Sequence, residues 1–143
     1  MNLFFGWLWI LLGFITGMVL GLFFHDEKWL GGYGSLKRRM YRLGHISFFG
    51  LGTVNLLFAM TIHASSTSQM FPLAAWAFIV GAVTMPLCCV VMAHFPKAHM
   101  IFTLPVVSLI FAGVMTVVMA FQNISSHSND LQVQWLQNLI HSI

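Results

Sequence analysis

The chain has 143 residues, 59% of them hydrophobic and only 6% charged, with a net charge of +3 and a mean hydropathy of +0.87. A soluble domain carries about 25% charged residues, so this composition excludes an ordinary globular enzyme and indicates an integral membrane protein. The sequence pI of about 9.2 calls for no nucleic-acid partner, because the six Lys and Arg fall in two short places where membrane topology explains them.

Charge-poor stretches long enough to cross a bilayer at about 1.5 Å per residue occur at roughly 3–24, 44–63, 72–94 and 100–122. They predict a single membrane domain over 1–143: an all-α, antiparallel four-transmembrane-helix bundle with a short C-terminal amphipathic helix. The first span reads as retained rather than cleaved, since M-N-L-F-F has no basic n-region and the apolar run exceeds a signal-peptide h-region. Within it Gly13, Gly17 and Gly21 recur at four-residue steps, the small-xxx-small spacing that lets two membrane helices approach closely. That face packs against a neighbour in the bundle or another subunit. Trp7 and Trp9 suit an outer interfacial belt, and Trp29 and Tyr33 an inner one.

Lys28, Lys37, Arg38, Arg39 and Arg42 separate the first two spans, and Lys97 separates the last two. The positive-inside rule puts both connections in the cytoplasm and both termini on the outer side, as for a bacterial inner-membrane protein. Gly31, Gly32 and Gly34 mark turns, because no strand precedes them and no G-K-[ST] follows.

The second span, from Arg42 to His63, places His45, Phe49, Gly52, Leu56, Ala59 and His63 on one face. An ionisable side chain on a membrane helix normally faces protein rather than lipid, which makes this the inward face. Asn55 is expected to hydrogen-bond another helix. Pro72 opens the third span and Pro86 kinks it, while the adjacent Cys88 and Cys89 read as buried free thiols. His99 begins the fourth span. After Gln122 the polar run N-I-S-S-H-S-N-D interrupts, and Leu131, Trp135, Leu136, Leu139, Ile140 and Ile143 then form a stripe at helical spacing over about 130–143, with Asn129 or Asp130 as a cap. Lying on the outer surface without basic residues, this helix favours a protein partner over anionic lipid.

Of the seven histidines, His25, His45, His94 and His99 sit where the four spans meet the cytoplasmic side. In an up-down bundle the second and fourth helices are diagonal partners, so His45 opposes His99, and His25 with His94 forms the competing pair. Two inward imidazoles are what bis-histidine haem ligation needs, with Gly52 sparing room for the macrocycle. The same His45 and His99 are the candidate metal ligands; His63, on the other side, is excluded. The segment G-H-I-S-F-F-G-L-G resembles the H-x-x-x-F-G segments that open haem-bearing helices in small membrane cytochromes and relatives of the haem-copper oxidases. That resemblance implies an axial ligand at His45.

The first expectation is therefore a b-type haem electron-transfer subunit of a respiratory-type complex, its partners being the lipid bilayer and larger membrane subunits. A cofactor-free accessory subunit is the alternative, and a metal-handling protein or histidine-assisted transporter comes third. Asp26, Glu27 and Asp130 all lie outside the spans, which argues against acid-base catalysis by the chain alone.

Overall fold

A computed structural model describes residues 1–64 and 71–141. Helix α1 (Asn2–Leu22) leads through a 3-10 turn at Trp29–Gly31 to α2 (Leu36–Ala64); α3 (Phe71–His94) leads through a 3-10 segment at Pro96–Phe102 to α4 (Thr103–His141). No strand occurs among the described residues, and all four helices are long and apolar enough to cross a membrane. The predicted outer connection falls largely on 65–70, outside the described residues.

The helices pack in sequence: α1 on α2, α2 on α3, α3 on α4. α1 touches α3 only along an edge, and α1 and α4 share no comparable seam among the described residues. This arrangement is an open row rather than a closed ring. α3 sits centrally because its alanines let both neighbours come close: Ala74, Ala75, Ala82 and Ala93 are all buried. Phe58 of α2, Phe71 and Phe78 of α3, and Ala112 and Met119 of α4 form the apolar core. At the α3–α4 crossing a Cβ placed on Gly81 would fall 2.6 Å from Leu109.

On the other flank, α1 lies against α2 through glycines. Gly6 and Gly52 face each other so closely that a Cβ on Gly6 would stand 2.8 Å from the Gly52 carbonyl oxygen. Gly13 meets the Phe49 ring and Gly17 the His45 ring, whereas nothing lies within 4 Å of the position a Gly21 Cβ would take.

The fourth helix differs from expectation. Instead of ending near Gln122 and restarting near residue 130, α4 runs unbroken for 39 residues. The polar run contains neither Gly nor Pro, and its hydroxyls fold back on the helix: Ser125 donates to Phe121 O at 3.1 Å, Ser126 to Asn123 O at 2.9 Å and Ser128 to Ser125 O at 2.9 Å. Polarity removes such a segment from the apolar pattern without removing it from the helix.

Candidate functional site

Where α1 and α3 fail to close on each other, they leave a cleft of about 530 Å³ floored by α2. Leu12, Val19, Phe48, Val83, Leu87 and Val90 supply apolar wall from all three helices. Proline chemistry explains the first strut across it. Pro86 has no N–H, so the Ala82 carbonyl one turn earlier loses its helical donor. The Trp9 indole of α1 fills the vacancy, donating from Nε1 to Ala82 O at 3.1 Å. Trp9 thus turns inward, not to the outer interfacial belt where its position in the sequence placed it. Nearby, the Asn2 amide donates to Asn55 Oδ1 at 2.9 Å and to Ala75 O at 3.2 Å, linking α1, α2 and α3. Asn55 is fully buried and makes the interhelical bond expected of it, also donating to Leu51 O at 2.9 Å. At the far end the rings of Phe23 and Trp29 stack, 5.5 Å between centroids and 10° from parallel.

Like Tyr41, His45 lines this cleft on its α2 floor. Its ring stands edge-on to Phe49 at 5.4 Å, and its Nδ1 lies 3.1 Å from Thr16 Oγ1 of α1. The Thr16 hydroxyl is 2.8 Å from Leu12 O and 3.1 Å from Gly13 O, both pure acceptors, so its single hydrogen goes to its own helix. The hydroxyl oxygen is then an acceptor toward His45. This assigns the proton of the neutral imidazole to Nδ1 and leaves Nε2 with a free lone pair. Nε2 has no hydrogen-bond partner among the described residues. Gly17 is what admits the ring: a Cβ there would fall 2.7 Å from Cε1 and 3.2 Å from Nε2.

The other candidate ligands lie elsewhere. His25 is exposed in the α1–α2 connection. His94, also exposed, donates from Nδ1 to Val90 O at 3.1 Å and presents its ring edge-on to Tyr41 at 6.2 Å. His99 is exposed in the 3-10 segment, which packs on α3 and α4, while His45 turns to α1. The structure therefore does not bring His45 and His99 together, and the cleft offers one imidazole rather than the two that bis-histidine ligation requires. Among the described residues no group of three or more His, Cys, Asp or Glu could hold a metal ion. Gly52, expected to spare room for a macrocycle, has that room filled by Gly6 and Ile10 of α1. Cys88 and Cys89 are free and buried, with the Cys88 thiol 3.5 Å from Ile101 O.

Arg38 is the residue the sequence disguised. Grouped there with four other basic residues as a topology signal, it is only 1% exposed. Its guanidinium lies 3.8 Å from the Tyr33 ring centroid, 5.2 Å from Phe24 and 5.7 Å from Trp29. Nη2 donates to Phe24 O at 3.0 Å and Nη1 to Asp26 O at 3.4 Å, so a cation gathers carbonyls released beyond the end of α1. Its Nε is buried without a hydrogen-bond partner among the described residues. The loop that builds this cage bends at Leu30, Gly31 and Gly32, all at positive φ, and Ser35 fastens it by donating to Leu30 O at 2.6 Å while accepting from Arg38 N at 3.2 Å. Three aromatics shortly before a basic run were the available signal, since such rings can hold an arginine out of water.

No protein-family model, curated protein or solved structure matches this chain, so its chemistry rests on these side chains alone.

Proposed function

We propose that the chain is an integral membrane protein that crosses the bilayer four times as an antiparallel bundle and serves as an accessory subunit of a larger membrane complex, with no catalysis of its own. The observation that carries this reading is the far part of α4, where Leu131, Trp135, Leu136 and Ile140 share one helical face and are all exposed. At about 1.5 Å per residue its 39 residues reach about 58 Å, against about 30 Å of hydrocarbon, so the stripe stands outside the membrane. Apolar surface in that position is a surface for protein. Antiparallel packing is supported by the order of contacts: Gly6 with Gly52 and Leu56, Gly13 with Phe49, Gly17 with His45. The basic connections support an orientation with both termini on the outer side, as in a bacterial inner membrane.

Native electrophoresis of gently solubilised membranes tests this reading. The chain is expected in an assembly well above its own 16.1 kDa, and the double variant Trp135→Glu, Leu136→Glu is expected to release it. Migration of the wild type as a lone chain would sink the proposal. Cysteine labelling at Ser35 and Ser66 tests the topology, with the two sites expected to label from opposite sides.

A b-type haem electron-transfer subunit is the second reading, favoured by the His45 tautomer, because ligating histidines are commonly held by a hydrogen bond from their other ring nitrogen. A reducible Soret band lost in His45→Ala and kept in His63→Ala would establish it over the first. Equal loss in His99→Ala would restore the paired ligation.

A further inference from the structure

We propose that the cleft between α1 and α3 binds a membrane-soluble phenol, its ring hydroxyl donating to His45 Nε2 and its apolar body lying between the two helices. Three independent features of the cleft select this class. Its volume of about 530 Å³ falls within the roughly 300–1,000 Å³ usual for small-molecule sites. Its α2 floor carries a free acceptor, His45 Nε2, since Thr16 accepts the Nδ1 hydrogen bond, and a ligand group that pairs with this atom is an O–H rather than a carbonyl. Its lining is rich in rings: Trp9, Phe23, Trp29, Tyr41 and Phe48 come from α1, the 3-10 turn and α2. Such walls favour a flat aromatic head over a flexible chain.

The cleft is also held in shape by contacts that do not depend on an occupant. The Trp9 bond to Ala82 O fixes the α1–α3 separation at one end, and the Phe23–Trp29 stack closes the other. Gly17 positions the ring without touching the occupant itself: any side chain there would push the imidazole away. The site is separate from the exposed stripe of α4, so it stands or falls independently of partner assembly.

The test is titration calorimetry of the purified full chain in lipid nanodiscs with a decyl-substituted hydroquinone. Its dimethyl ether keeps the ring and tail and removes the O–H, and is expected to bind at least tenfold more weakly. His45→Phe is expected to lower hydroquinone affinity to the level of the ether. His45→Gln, whose carbonyl oxygen still accepts, is expected to recover part of it, and Gly17→Ala to weaken binding by displacing the imidazole. Dodecanol, with a hydroxyl and no ring, should not compete. Equal affinity for hydroquinone and ether, full competition by dodecanol, or no binding by the wild-type chain would each overturn the proposal; the ligand comparisons need no variant to fold.

Discussion

The two flanks of α3 are held by different physics. On the α4 side the contact is close and mainly apolar: Ala74 and Ala112 are fully buried, Leu109 presses on Gly81, and a single bond, Ser108 Oγ to Ala77 O at 2.8 Å, crosses it among the described residues. Side chains there interlock, and van der Waals contact supplies the association. On the α1 side the chain relies on directed bonds, Asn2 to Asn55 and Ala75 O, and Trp9 to Ala82 O. A hydrogen bond fixes a distance without filling the space beside it. One flank is therefore solid, and the other encloses a cleft.

The most damaging way to break this contrast is at Arg38, where α1 turns back toward α2. Arg38→Ala is expected to lower stability by about 3 kcal/mol, because it removes a buried guanidinium from against three rings and takes its charged donors from the Phe24 and Asp26 carbonyls. Arg38→Lys should restore little, since one ammonium cannot reach both carbonyls while stacking on Tyr33. Thermal unfolding in a fixed detergent measures both. Next comes Gly52→Val. Its Cβ would fall 3.0 Å from Gly6 O and 3.2 Å from Ile10 N, so α1 must move away, at about 1–3 kcal/mol. A spin-label distance between α1 and α2 is expected to lengthen, with the α3–α4 distance unchanged.

A subtler prediction isolates the strut. Trp9→Phe removes the indole donor and is expected to cost about 0.6–1.7 kcal/mol, the range for hydrogen bonds between membrane helices. Pro86→Ala returns a backbone N–H to Ala82 O, and in that background Trp9→Phe should cost much less. Additive losses in the double-mutant cycle would show that the indole does not serve the proline defect. The smallest effect belongs to Thr16→Val, about 0.6 kcal/mol, which frees the His45 ring while leaving the helices where they are.

The four helices were legible because hydropathy and length are local properties, and Asn55 announced itself as an amide within an apolar span. The site was less legible for reasons that differ by residue. His45 and His99 look paired when only their depths are compared, but depth does not fix azimuth. Gly17 of α1 admits the His45 ring, which turns toward α1 rather than α4. Arg38 shared its charge with its neighbours, and its burial depends on rings brought together by the bend at Leu30, Gly31 and Gly32. Trp9 was placed by its nearness to the start of the chain, whereas its role is set by a proline 77 positions further on, through the carbonyl that Pro86 leaves vacant. The continuity of α4 was hidden by polarity, which marks where a helix leaves the apolar phase and says nothing of where it stops.

That continuity makes the end of α4 a ruler. If the span ends near Gln122 as the proposed topology has it, Trp135, 13 residues further along the same rod, would stand about 20 Å beyond the hydrocarbon edge. A rigid rise of this height sets the scale of whatever meets it. Under the proposed accessory role, a partner confined to the bilayer could not reach the indole, and the complementary surface would belong to a protein with a folded part standing clear of the headgroups. Deleting four residues from the rod would lower the stripe by about 6 Å and turn it by about 40° around the helix axis, changing its height and heading without altering its composition.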